Sequence, residues 1–299
     1  MLEGDEILTV TFHADDYGIN DKQSQRVLAC SEQNGGVLNS VSIMPNSRNL
    51  DSTIPMLDSR IKTGIHINLA EGTPCADPRD IPLLVRNGVF YHSFMSLLWL
   101  SITKRRQLEH QVEAEILAQI NSVVRYLDTG YKVRIDSHVH YHMIPVVFKG
   151  LCKALKRSGH EVEYIRYTNE KLSLYLWSPY VWRYIHTINI IKALLLKIFG
   201  IINRGTLRQY GYEACIGLFF GVVFTGEMYG KHIGVILEKY CTYARKHGQN
   251  LEVLFHPGAI AEGEEFLEGC NAAFKAVYSS KNRRREAKIL KKLGGINIS

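Results

Sequence analysis

ILTVTFHADDYG, residues 7–18, joins a structural signal to a chemical one. Its first six residues are apolar, β-branched or aromatic and predict a buried strand. That strand ends in His13, Asp15 and Asp16 rather than in turn residues. Carboxylates at the end of a buried strand need a metal ion or a proton as partner, because an unpaired buried charge is costly. On an extended backbone Asp15 and Asp16 would point to opposite faces, which predicts that one meets an ion while the other, held close by a turn at Gly18, takes a proton.

Similar runs recur as VLNSVSIM (37–44), IKTGIHINL (61–69), VRIDSHVHY (133–141), VEYIRYT (162–168), LFFGVVFTG (218–226), LEVLFHPG (251–258) and GINIS (295–299), with helical material between them. Eight strands alternating with helices predict an α/β fold, a TIM-like (β/α) barrel of parallel strands that takes up residues 1–299 as a single domain. No glycine-rich phosphate loop follows the first strand, which disfavours a dinucleotide-binding sheet. The connector 107–127 places Leu108, Val112, Ile116, Ile120 and Val123 on one stripe and stops at Gly130; the connector 149–159 also ends at a glycine. The proline-rich stretch 72–88 predicts a long loop after the third strand, on the face where such barrels build active sites.

Residues 172–210 break this pattern. They hold no Asp or Glu and predict an apolar, basic helical insertion between strands five and six. Lys192 and Lys197 interrupt the apolar run, which is too short to span a membrane. On a helical wheel Asn189, Lys192, Lys197 and Asn203 share an arc of about 140°, leaving a broad apolar face. That face is expected to bury against the barrel, against a second copy in a homodimer, or in a peripheral membrane contact suited to Trp177 and Trp182.

Of the net charge of +7, the stretch from Ser279 to Lys292 carries +6, so no diffuse nucleic-acid groove is expected. Its core, RRREAKILKKL, predicts a C-terminal helix with Ile289, Leu290 and Leu293 turned inward. The cysteines at 30, 75, 152, 215, 241 and 270 are scattered singly, as reduced thiols would be. MLEGDEILTV has acids where a signal peptide has bases, which predicts a cytoplasmic protein, peripheral at the inner face of the membrane if it meets one.

The chemistry gathers at strand ends: His13, Asp15 and Asp16 on the first, His66 on the third, Asp136 to His142 on the fourth and His256 on the seventh. In a parallel barrel these ends converge on one rim. Two imidazoles and a carboxylate there make a three-ligand catalytic metal site that activates water for hydrolysis. His138, His140 and His142 are expected to share one face of a strand. His92, His110, His160, His186, His232 and His247 are read as surface or core residues.

In this order and at these intervals, HADDYG, GIHINLAEGTP, DSHVHYHMIP, IRYTNE and LFHPG resemble the motifs of the YdjC-like carbohydrate deacetylases, also called chitooligosaccharide deacetylases. The resemblance implies a TIM-like barrel and a metal-dependent hydrolase that removes acetyl groups from N-acetylated sugars. It implies Asp16, His66 and His138 as ligands of one divalent ion, with Asp15 as general base. Mg2+ is the ion usual in the family, whereas two imidazoles favour Zn2+ or another transition metal. His256 suits protonation of the departing amine, with a purely structural imidazole as the alternative. Asp136 is placed to orient an imidazole and Arg166 to hold a substrate hydroxyl or phosphate; His13, His140 and His142 complete the substrate-binding or supporting set. The 172–210 segment with FFGVVFTGEM (219–228) resembles the subgroup associated with hopanoid lipid biosynthesis, which moves the expected substrate from chitobiose towards a lipid-linked N-acetyl amino sugar. A deformylase or other acyl hydrolase on a lipid-linked sugar, and a non-catalytic barrel acting as a membrane-docked binding protein, are the alternatives.

Overall fold

The computed structural model describes residues 9–293 apart from 169 and 177. One curled sheet contains β1 (Val10–Tyr17), β2 (Ser40–Ile43), β3 (Lys62–Ile67), β4 (Val133–Ser137), β5 (Val162–Ile165), β6 (Leu218–Phe220) and β7 (Leu251–Phe255). All pairings are parallel and the order is β5-β4-β3-β2-β1-β7-β6. The result is an α/β fold with a seven-stranded half-barrel, consistent with a TIM-like barrel. The expected eighth strand GINIS and Trp177 lie outside the described residues.

The alternation along each strand explains the curl. Phe12, Ala14, Val41, Ile65, Ile135 and Val253 point outward beneath the helices, and all are buried. The opposite face carries Thr11, His13, Asp15, Ser40, Ser42, His66, Asp136 and Glu252, also buried, which meet one another across the interior. The core is thus an apolar shell around a polar axis.

The principal helices are α1 (Asp21–Leu28), α2 (Phe94–Thr103), α3 (Arg105–Val124), α4 (Pro145–Ser158), α5 (Thr187–Tyr210), α6 (Lys231–Lys246), α7 (Ala272–Tyr278) and α8 (Lys281–Leu293). Leu108, Val112, Ile116, Ile120 and Val123 form the fully buried stripe of α3. The helix α4 opens on Pro145, whose fixed φ suits a first turn, and closes on Gly159 at φ 74°. At Gly150 a Cβ would come within 2.8 Å of Val112 Cγ1, so α3 and α4 close together over a glycine.

Three expectations from sequence are corrected. The sixth strand stops at Phe220 rather than running to 226, because the Glu170 carboxylate accepts the N–H groups of Gly221, Val222 and Val223 at 3.2, 2.8 and 3.0 Å and folds them into a turn. Glu170 also bridges to Phe219, bringing the two edges of the sheet together. The fourth strand stops at Ser137, and His138–Met143 form a tight 3-10 turn in which Val139 and His140 are left-handed, at φ 48° and 60°. The three histidines therefore do not share a strand face.

The third correction concerns α5: of the three partners expected for its apolar face, the barrel is not the one that covers its isoleucines. Asn189 and Asn203 face inward and donate to the carbonyls of Val223, Thr225 and Met143, at 3.2, 3.0 and 2.8 Å. Ile188, Ile191, Leu194, Ile198, Ile201 and Ile202 face out, with Ile188 68% exposed. The inner side buries Ala193, Leu196, Phe199 and Leu207.

Burial pushes the Glu170 carboxyl up to about 7, against the lowering effect of Tyr175 and the three N–H groups. A folded pKa above the unfolded one gives stability that is present at low pH and lost as pH rises through the folded value. Relative to Glu170→Gln, the wild type should lose about 3 kcal/mol between roughly pH 4.5 and 8. Chemical denaturation of both proteins across that range checks it; a pH-independent difference would refute the assignment.

Candidate active site

The site begins with a bulge in β1. Pairing with β2 slips between Ala14 and Tyr17, and Asp16 takes a left-handed conformation at φ 64°. Gln23 of α1 holds the distorted backbone by donating to the Asp16 carbonyl at 2.9 Å. The expected opposition of the two aspartates is thereby cancelled: both approach His66 Nε2, Asp16 Oδ1 to 3.1 Å and Asp15 Oδ2 to 3.9 Å.

Asp16, His66 and His138 form one cluster. Their contacting atoms lie within 4.8 Å of one another, so they could hold a metal ion. His138 Nδ1 lies 2.9 Å from Asp16 Oδ1, and the rings of His66 and His138 meet edge-on with centroids 5.7 Å apart. His66 Nδ1 is fixed by Asp136 Oδ1 at 2.5 Å, while its buried Nε2 has no aligned hydrogen-bond partner. An imidazole held by a carboxylate on one nitrogen and left open on the other is the arrangement of a metal ligand. Burial alone would raise the Asp16 pKa, but His138 and His66 hold it well below the usual range.

His13, Asp15 and Asp136 form a second cluster of similar size. Its donors are already engaged. Arg166, buried at the barrel axis, binds both oxygens of Asp15 at 2.9 and 2.8 Å, Asp136 Oδ2 at 2.9 Å and Glu252 Oε1 at 2.5 Å. His13 pairs with Ser40 and Ser42 through its two nitrogens, at 2.8 and 3.1 Å, and lies 3.1 Å from Asp136. Burial favours a neutral Asp15, yet Arg166 and His66 keep its carboxyl well below the ordinary value. Arg166 is completely buried, so the expectation that it holds a substrate hydroxyl or phosphate gives way to one in which it holds Asp15.

His256 stands at the edge, its side chain 23% exposed and its Nε2 3.8 Å from Asp15 Oδ2. Its backbone N–H donates to Glu286 of α8 at 2.5 Å, which ties the strand end to the C-terminal helix. In α8, Leu290 and Leu293 are buried and Ile289 is half-buried. His140 is buried against Phe219, with burial and the positive charges of Lys192 and Arg166 driving its pKa well down. His142 turns away to bond Ser137 Oγ and the Arg166 carbonyl, at 2.5 and 2.8 Å, and burial pushes it to about 4.

Several participants went unmarked in the sequence. Glu252 is an acid inside the apolar run LEVLF, a legible anomaly. Phe274 of α7 packs on His138 and stacks on Tyr278, walling the Asp16, His66 and His138 cluster from a region of chain with no strand pattern. Lys192 of α5 is half-buried, with its ammonium lowered to about 8 by burial against the opposing pull of Asp15 and Glu170. A wide groove between α6 and α8, lined by Glu238, Arg285 and Lys292, contains none of these groups.

Comparison with known proteins places the chain in a family. The profile of the YdjC-like protein family matches residues 9–293. The chain belongs to that family. Carbohydrate deacetylases of Danio rerio and Mus musculus are 26% and 27% identical to this YdjC-like protein over 147 and 151 residues, or 48% and 49% of its length. Those matches span 45% and 46% of the two relatives, so the similarity covers about half of each. A crystal structure from Enterococcus faecalis V583, described as a proposed cellobiose-phosphate cleavage protein, superimposes with a TM-score of 0.59. It covers 95% of this chain and 90% of its own, at 17% identity, and so speaks for the fold alone.

If Asp136 orients His66 towards an ion, Asp136→Asn should weaken divalent-metal binding by about 10- to 100-fold. Titration calorimetry with Zn2+ and Mg2+, beside His66→Ala as the ligand-loss control, measures it. Unchanged affinity in both variants would move the ion elsewhere.

Proposed function

We propose that this YdjC-like protein is a divalent-metal-dependent hydrolase that removes the N-acetyl group from an amino sugar. The observation that carries it is His66: locked by Asp136 on one nitrogen, it aims a buried Nε2 with no aligned hydrogen-bond partner at Asp16, 3.1 Å away, and beside Asp15. Asp16, His66 and His138 would hold the ion, which when bound lowers the pKa of water and polarises the amide carbonyl. The donor set favours Zn2+ or a similar transition metal, with Mg2+ the ion that family resemblance implies.

The chain's own residues account for the proton movements. Arg166 grips Asp15 through both oxygens and keeps it ionised beside the ligands, so that it can take the proton from the attacking water. His256, across Asp15 and partly open to solvent, delivers a proton to the departing amine nitrogen. Asp136 and His13 fix the tautomers and orientations of the groups above them. The wall formed by Phe274 and Tyr278 suits the apolar flank of an acetylated sugar.

Among amino sugars, a lipid-linked substrate is favoured by α5, which exposes an apolar face while touching the turn that carries His138. Acetate release from N-acetylchitobiose and from a lipid-linked N-acetylglucosamine, by metal-loaded protein, tests both parts. Asp15→Asn should reduce the rate by about 10²- to 10⁴-fold. Full acetate release by that variant would dismiss the proposal, and formate from an N-formyl analogue with no acetate from either sugar would replace it by a deformylase.

A further inference from the structure

We infer that the outer faces of α5 and α2 form an interfacial docking surface for an anionic lipid bilayer. On α5 the exposed residues Ile191, Ile198 and Ile202 recur at helical spacing, and on α2 Met95, Trp99 and Ile102 do the same. The two helices are neighbours, because Phe94 stacks on Phe199 with centroids 6.2 Å apart. Trp99 is 65% exposed, an unfavourable place for an indole in water and a favoured one at a membrane boundary. No helix among the described residues is long and apolar enough to cross a membrane, so this surface would rest in the interface.

Charge selects the occupant. Residues 172–210 contain no acid, and at 100° per residue Lys197, Arg204 and Arg208 fall within an arc of about 40° along one border of the apolar stripe. Lys104, Arg105 and Arg106, all exposed, follow directly on α2. Apolar residues flanked by bases match acyl chains beneath anionic headgroups. A two-fold dimer through the same face would instead set two acid-free, basic segments against each other.

The inference deepens the lipid-linked arm of the proposed function, on which its meaning for the substrate rests, but docking itself needs no turnover. The full chain is incubated with vesicles of phosphatidylglycerol and phosphatidylcholine or of phosphatidylcholine alone, and floated. Wild type should partition onto the anionic vesicles, and Ile198→Glu/Ile202→Glu should reduce that at least tenfold with unchanged circular dichroism. Equal recovery of both proteins in the aqueous fraction overturns the inference. So does a wild-type dimer, seen by sedimentation equilibrium, that the double variant splits while vesicles capture neither. Acetate release from soluble N-acetylchitobiose, compared in the same two proteins, is expected to be equal; its absence from both would count against the deacetylase reading and leave the flotation result standing.

Discussion

The guanidinium of Arg166 lies at the centre of the barrel with no exposure to solvent, and three carboxylates, from Asp15, Asp136 and Glu252, converge on it. Each of those acids comes from a different strand, so the ion cluster cross-links β1, β4 and β7 to the end of β5 from inside. Burying one such charge without the others would cost several kcal/mol, and removing one partner from a buried pair costs about 3–5 kcal/mol. The sheet is therefore curled around its charges as much as around its apolar shell. His142 secures the arrangement by holding the Arg166 carbonyl and the Ser137 hydroxyl from one ring.

Above this layer sits the chemical one, and Asp136 belongs to both. Its two oxygens reach Arg166, His13 and His66, so the charge balance at the axis sets the orientation of the imidazole that faces the candidate metal position. Burial alone would lower the His66 pKa, but Asp15, Asp136 and Asp16 raise it well above the ordinary value, so a cation is favoured where its ring sits. A divalent ion satisfies that field without needing a proton on the ring. The same carboxylates thus neutralise the buried Arg166 and set up a field that a divalent ion would satisfy.

Much of this was legible because the barrel converts sequence order into position: residues at strand ends meet, however far apart in the chain. The meeting of His66, on β3, with His138, just past the end of the adjacent β4, follows from that rule alone. What failed to show were departures from regular backbone. The bulge at Asp16 depends on a Gln23 side chain, and the end of β6 on a Glu170 carboxylate that reaches residues 51 to 53 positions away. A hydrophobic pattern cannot register a side chain that caps distant backbone. Periodicity identified two unlike faces on α5 but not which one turns inward, because Asn189 and Asn203 satisfy buried carbonyls that leucine could not.

That orientation of α5 links the outside of the molecule to its chemistry. The hydroxyl of Tyr167, one residue after Arg166, bonds the carbonyl of Gly200 on α5, and a Cβ on that glycine would crowd the tyrosine ring at 3.2 Å. Asn203 fastens the same helix to Met143, at the end of the turn that presents His138. Lys192 extends from α5 to within electrostatic reach of Asp15, Glu170 and His140. Two hydrogen bonds thus tie α5 to the segments that follow β4 and β5. A bilayer on its isoleucines would therefore lie against the helix that is fastened to the turn presenting His138.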